Sequence, residues 1–207
     1  TYVPLKHLGY KAAVVNFSDI YAMNGKPEQL TVALACSNRF PLEAIEQIYE
    51  GLLLACNEYG VDLVGGDTAS SKAGLLLSLT IIGAVEPGKA VYRSGAKTGD
   101  LIVVSGDLGG AYMGLQLLER EKAVFMETPG AQPDLQGFDY ILQRQLRPEA
   151  RRDVVEFLAE NAIQPNAMID ISDGLSSEIL HLCTQSNTGC RVFEDKLPID
   201  PTTVNLA

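Results

Sequence analysis

The chain's residue pattern predicts a mixed α/β or α+β fold in two parts. Three observations carry this: helical stripes alternate with strand-like runs, Gly- and Pro-bearing turns mark most changes of period, and a turn-rich loop over residues 87–100 separates two such series. In the first series, Leu5, Leu8, Ala12, Val15 and Ile20 recur at mostly helical spacing between Pro4 and Met23, and Asn24-Gly25 is a helix stop signal. Gln29 to Cys36, rich in Thr, Val and Leu, alternates as a strand. Pro41 opens a second helix with Leu42, Ile45, Tyr49, Leu52, Cys56 and Tyr59 on one stripe, and Gly60 closes it. Val61 to Val64 is a short strand running into a turn at Gly65-Gly66-Asp67-Thr68, and Leu75 to Val85 is a longer strand.

The domain boundary falls in the loop, giving a division into residues 1–95 and 96–207. The second part starts with a strand, Leu101 to Ser105, then a turn at Gly106, Gly109 and Gly110, a helix from Ala111 to Arg120 and a polar stretch from Thr128 to Gly137. A helix from about Pro148 to Asn161, a strand from Ala167 to Ile171, a helix from Leu175 to Gln185 and a strand from Arg191 to Glu194 complete it, with no regular element expected after that.

Hydrophobic residues make up 46% of the 207 and charged residues 20%, which fits a folded globular chain rather than extended disorder. The net charge of −10 repels a phosphate backbone, so no nucleic-acid partner is expected. Cys36, Cys56, Cys183 and Cys190 form no C-x-x-C pair, and a reduced cytoplasmic protein is the simpler reading. The longest apolar run, Leu75 to Val85, is too short to cross a bilayer as a helix, so no membrane partner is expected either. Without an initiator Met, the chain reads as a segment of something longer.

The sharpest local feature is Asp170-Ile171-Ser172-Asp173-Gly174-Leu175, where a strand end turns into a helix. A helix N-terminus offers backbone N–H groups and a positive dipole to phosphate oxygens, while Asp170 and Asp173 offer hard oxygen ligands to Mg²⁺. On spacing alone, Ser172 or Asp173 serving as an ordinary helix cap is the favoured reading. Gly65-Gly66-Asp67-Thr68 is a second candidate, its glycines admitting close backbone approach to a ligand, with a plain turn as the alternative. Asn16-Phe17-Ser18-Asp19 sets polar groups in an apolar helix, open equally to a ligand-facing carboxylate and a solvated stripe. In the boundary loop, Arg93 has the fork to clamp a phosphate and Lys97 a point charge, against the alternative of a solvated linker.

No P-loop or G-x-G-x-x-G motif occurs, and His7 and His181 have no zinc-spaced companions. Asp-bearing loops with an Arg between them suit a polyphosphate held through magnesium ions.

Together, Val15 to Met23, Val64 to Thr68, Tyr92 to Asp100, Leu146-Arg147-Pro148 and Met168 to Leu175 resemble, in this order and over nearly the whole chain, the thiamine-monophosphate kinases. These enzymes share a superfamily with aminoimidazole ribonucleotide synthetase and selenophosphate synthetase. The resemblance implies Mg²⁺-assisted transfer of a phosphoryl group from ATP to thiamine phosphate, forming thiamine diphosphate. It implies an α+β N-terminal domain with a mainly antiparallel sheet, which dimerises, followed by an α/β domain. It also implies Asp19, Asp67, Asp170 and Asp173 as magnesium ligands, with Asp170, Asp173 and Arg93 at the reacting phosphates. Gly66, Asp67, Arg93 and Ser172 then contact the nucleotide, and Tyr49 lies against it, helix-core packing being the alternative for Tyr49. The family's Gly-Asp-Asp-Ala and Gly-Gly-Glu-Asp segments are absent, so the thiamine side of the pocket is expected to lie outside this chain. Another ATP-dependent synthetase of the superfamily, or a catalytically silent nucleotide-binding module, is the alternative.

Overall fold

A computed structural model describes residues 3–128 and 132–207. It divides into two compact units, one of residues 3–100 with 149–189, the other of residues 101–148 with 190–207. The compact units thus part after Asp100, and the first of them takes in residues 149–189 as well, unlike the contiguous division into 1–95 and 96–207. Part of the polar stretch expected over 128–137, residues 129–131, lies outside the described residues.

In the first unit, α1 (Leu5–Ala22) and α2 (Leu42–Tyr59) pack on one face of a three-stranded sheet, β1 (Lys26–Cys36), β2 (Asp62–Ser70) and β3 (Leu75–Ala84), in the order β2-β1-β3. β1 is parallel to β2 and antiparallel to β3, so the sheet expected to be mainly antiparallel is mixed. Both helix stops read from the sequence form. Asn24 takes a left-handed φ of 62° and Gly25 donates to the Ile20 carbonyl at 3.0 Å. Gly60, at φ 68°, ends α2.

The buried stripe of α1 is Leu5, Gly9, Tyr10, Ala13, Val14, Phe17 and Tyr21; of the residues counted from the sequence Leu5 belongs to it, while Leu8 and Val15 are 40% and 43% exposed. The aromatics decide the face because they bury the most apolar area. On α2 the buried set is Ala44, Ile48, Gly51, Leu52, Ala55, Cys56 and Tyr59, while Leu42 lies outside it. The sheet contributes Leu30, Val32 and Leu34, which face the helices alongside the half-buried Leu75, Leu77, Leu79 and Ile81. A glycine on each helix lets the two backbones meet. A Cβ on Gly9 would stand 1.9 Å from the Ile48 carbonyl oxygen, and one on Gly51 1.9 Å from that of Lys6.

Segment 149–189 joins this core through Ala150, whose N–H donates to the buried Tyr59 hydroxyl at 2.9 Å, and Arg152 lies over the same ring. It carries α5 (Arg152–Glu160) and α6 (Leu175–Ser186). The second unit holds α3 (Gly110–Glu127), α4 (Asp139–Leu146), a short 3-10 turn (Glu194–Lys196) and α7 (Pro201–Leu206). Its packing centres on Leu117, Leu118 and Ile141. The buried Glu121 carboxylate accepts from the Asp134 N–H at 3.0 Å and pairs with Arg120.

Several expected elements differ. The helix expected from Pro148 begins at Arg152, and α4 ends before Pro148, whose ring cannot continue a helix. Asp200 caps α7 by accepting from Thr202 N–H at 2.7 Å, so a helix does follow the last expected strand. Residues 101–105, 167–171 and 191–194 form no strand, because among the described residues no ladder partner runs beside them; Leu101 and Val103 are 88% and 86% exposed. Conversely, Gly65-Gly66-Asp67-Thr68 is the middle of an edge strand rather than a turn. Gly66 stands opposite Val32 in the parallel register, where a Cβ would lie 2.1 Å from the Val32 carbonyl oxygen. The close backbone approach at Gly66 is to β1, whereas a Cβ on Gly65 would meet nothing within 4 Å.

Candidate functional site

The polar residues of α1 meet the Asp170 loop. Ser18 Oγ donates to Asp170 Oδ2 at 2.8 Å, so the hydroxyl one turn before the end of α1 orients the half-buried carboxylate. Asp19 is the next residue along. Partial desolvation first, and the charge of Asp170 second, push its carboxyl above the ordinary aspartate range, while Arg93 pulls it down. Ser18, Asp19, Asp170 and Arg93 therefore form one electrostatic neighbourhood drawn from three separate stretches of chain.

The loop bearing Arg93 is fastened to that neighbourhood rather than being a solvated linker. Met168 N–H donates to the Tyr92 carbonyl at 3.0 Å. Ser186 Oγ accepts from the N–H groups of Gly95 and Ala96 at 3.2 and 3.1 Å and donates to the Arg93 carbonyl at 3.3 Å. Gly95, at φ 123°, admits no side chain, since a Cβ would sit 2.5 Å from the Asn166 carbonyl oxygen. Asp100 closes the loop by accepting from Lys97 N–H at 2.8 Å and from Asn166 Nδ2 at 3.0 and 3.1 Å.

Those bonds, the Lys97 N–H foremost, hold the Asp100 carboxyl below its usual range. The stability they contribute is therefore present above the unfolded carboxylate pKa and lost as pH falls through the lower folded value. Asp100→Ala is expected to melt below the parent at neutral pH, with the gap closing as acidification below the ordinary aspartate range protonates the parent; thermal melts across that pH series check this.

At α6 the structure replaces the expected cap. Neither Ser172 nor Asp173 caps the helix; Gly174 occupies the N-cap with no side-chain bond. The N–H groups of Ser172 and Asp173 instead donate to Oε1 of Glu178, at 3.3 and 2.8 Å. Glu178 is a residue at this loop that the motif reading missed. Its one sequence signal is an acidic residue in the first turn of a helix, where the dipole favours it. The side chains of Ser172 and Asp173 are left exposed.

The second candidate lies at the sheet edge. Tyr49, Leu63, Val64, Gly65, Gly66, Asp67 and Thr68 line a depression of about 410 Å³. Tyr49 also packs partly against the core, as the packing alternative expects. Asp67 is exposed.

Among the described residues, no three His, Cys, Asp or Glu side chains gather into a metal-binding group, so Asp19, Asp67, Asp170 and Asp173 do not form a single cage. What the structure does bring together is Asp19 and Asp170. They are hard oxygen donors whose mutual repulsion a divalent cation would relieve, and this donor chemistry fits Mg²⁺. His7 and His181 take no part in either cluster.

Comparison with known proteins follows the same lines. The family model for AIR synthase related protein, N-terminal domain, matches residues 1–85. The thiamine-monophosphate kinase of Bacillus subtilis is 36% identical over 192 residues, covering 93% of this chain and 56% of the relative. That of Aquifex aeolicus is 34% identical over 199 residues, covering 96% and 60%. Among solved structures, AaThiL complexed with AMPPCP and TMP aligns with a TM-score of 0.83 at 31% identity, over 99% of this chain and 61% of that one. The chain thus spans 56% and 60% of the length of these two curated relatives.

Proposed function

We propose that the chain, which is similar to thiamine-monophosphate kinases over more than nine tenths of its own length, belongs to that family and carries the nucleotide-side machinery of an enzyme converting ATP and thiamine phosphate into ADP and thiamine diphosphate. The single observation that best supports this is the meeting of Ser18, Asp19, Asp170 and Arg93. Two carboxylates and a guanidinium from three distant segments suit an anionic ligand with its counter-cation.

In this reading Asp19 and Asp170 would hold a magnesium ion, and Asp67 and Asp173, which do not join them in one cage, would serve a further ion. When bound, that ion supplies neutralisation of the polyphosphate's charge. Ser18 fixes the orientation of the Asp170 carboxylate before nucleotide arrives. Arg93, carried on a loop that Ser186 and Asn166 fasten, clamps a phosphate in place at little entropic cost. Ser172, Asp67 and Gly66 contact the nucleotide, and Tyr49 lies beside it in the edge depression.

The acceptor is a phosphate monoester with a second pKa of about 6, so its oxygen is anionic at neutral pH and needs no general base. Its oxygen attacks the γ-phosphorus in line, the bond to the β–γ bridging oxygen breaks, and the electron pair leaves on ADP. The residues' work is to hold two repelling anions in line. The enzyme works in the cytoplasm as a homodimer through its N-terminal domain.

The test is incubation of the protein with γ-labelled ATP, Mg²⁺ and thiamine phosphate. Labelled thiamine diphosphate is the expected product. ADP release only with a different acceptor would assign a synthetase of the superfamily, and nucleotide binding without turnover would assign a silent module.

A further inference from the structure

We propose that Glu178 is a positioning residue: its buried carboxylate sets the Asp170–Asp173 loop so that Ser172 and Asp173 face the nucleotide. The inference deepens the kinase reading above and rests on it.

Glu178 is only 4% exposed, although it lies in the first turn of α6, where a glutamate ordinarily reaches water. Burying a carboxylate is costly unless charge-assisted hydrogen bonds compensate, and here the compensation is the two amides of Ser172 and Asp173. Gly174 makes the geometry attainable. With φ 123° and ψ 151°, it turns the chain so sharply that the two preceding N–H groups point back at the fourth residue of the helix.

Two consequences follow. The positive end of α6 already holds an anion, so these amides are not available to phosphate oxygens, and the loop must recognise the nucleotide through its side chains. The loop is also fixed on both sides, by the bond from Ser18 to the Asp170 carboxylate and by the tether from Glu178 to the backbone two and three residues later. With its backbone pinned, the exposed Ser172 hydroxyl and Asp173 carboxylate are presented outward, ready for ligand.

Glu178→Ala and Glu178→Gln test this, read by amide exchange at residues 171–175, by calorimetric binding of AMPPCP with Mg²⁺, and by steady-state turnover. Glu178→Ala is expected to speed exchange at Ser172 and Asp173 while leaving α1 and α2 unchanged, and to weaken AMPPCP binding and raise the half-saturating Mg²⁺ concentration by about tenfold or more. Glu178→Gln, whose amide oxygen still accepts, should restore most of the protection and affinity. Should Glu178→Ala fail to fold, Glu178→Asp, one methylene shorter, is read in its place.

Unchanged exchange would show that the carboxylate does not hold the loop, and faster exchange with unchanged AMPPCP affinity would leave Glu178 a helix cap only. Either result overturns the proposal. A protein that binds AMPPCP but makes no thiamine diphosphate would overturn the kinase reading instead, while the exchange and affinity measurements still decide the role of Glu178.

Discussion

If the chain carries the proposed kinase machinery, Asp170→Asn is expected to lower the kcat for thiamine diphosphate formation by on the order of 10²–10³-fold or more while the protein melts close to the parent temperature. The substitution separates charge from shape. Asparagine keeps an oxygen that can accept the Ser18 hydroxyl, so the link between α1 and the loop survives. What it removes is the negative charge that, with Asp19, makes this corner a place for a cation. The same change takes away the neighbour that raises the Asp19 carboxyl, so the Asp19 pKa, followed by carboxylate NMR, should fall. A kcat within threefold of the parent would remove Asp170 from the reacting phosphates, and with it the strongest support for the site.

Gly51→Ala is the stability prediction of largest effect. The added methyl would stand 1.9 Å from the Lys6 carbonyl oxygen and 2.7 Å from the Tyr10 amide nitrogen. Those are backbone atoms of a neighbouring helix, so no side-chain rotation relieves the contact and the two helices must separate. Separation loosens Ile48, Leu52 and Phe17, all fully buried. A loss at or beyond the upper end of the ~1–3 kcal/mol typical of overpacking is expected, read from the urea midpoint at constant slope. Gly9→Ala meets the Ile48 carbonyl in the same way. One separation relieves both clashes, so the double variant should lose less than the sum of the two. A midpoint for Gly51→Ala indistinguishable from the parent would mean that the helices do not touch there.

What the sequence disclosed of this architecture depended on whether its cause was local. Asn24-Gly25 and Gly60 stop helices by their own backbone freedom, and both stops form. The alternating β1 and the apolar β3 were legible because each carries its own period. Gly65-Gly66 reads as a turn but is strand, because Gly66 serves a neighbouring strand and nothing local announces Val32. Residues 101–105 have a strand's composition but, among the described residues, no partner, and composition cannot supply a ladder. In the site, the aspartates and Arg93 stood out by residue type and family resemblance, whereas Ser186 and Glu178 act through hydrogen bonds to main chain and Asn166 through the Asp100 carboxylate. A serine late in one helix bonding a loop some ninety residues earlier leaves no trace in spacing.

The discontinuity of the first unit also bears on how the protein is made. Arg93 and its loop leave the ribosome with residue 100, but Asn166 and Ser186, which fasten them, come only after residues 101–148 have been synthesised. At ~5–20 residues per second, that interval is on the order of ten seconds. The helix pair and its sheet are complete at residue 84 and can form early from local contacts. The loop bearing Arg93 cannot, so a nascent chain spends those seconds with a formed core and an unfastened loop, and ribosome-stalled chains ending before residue 166 should be protected in α1 and α2 yet cleavable at residues 92–100.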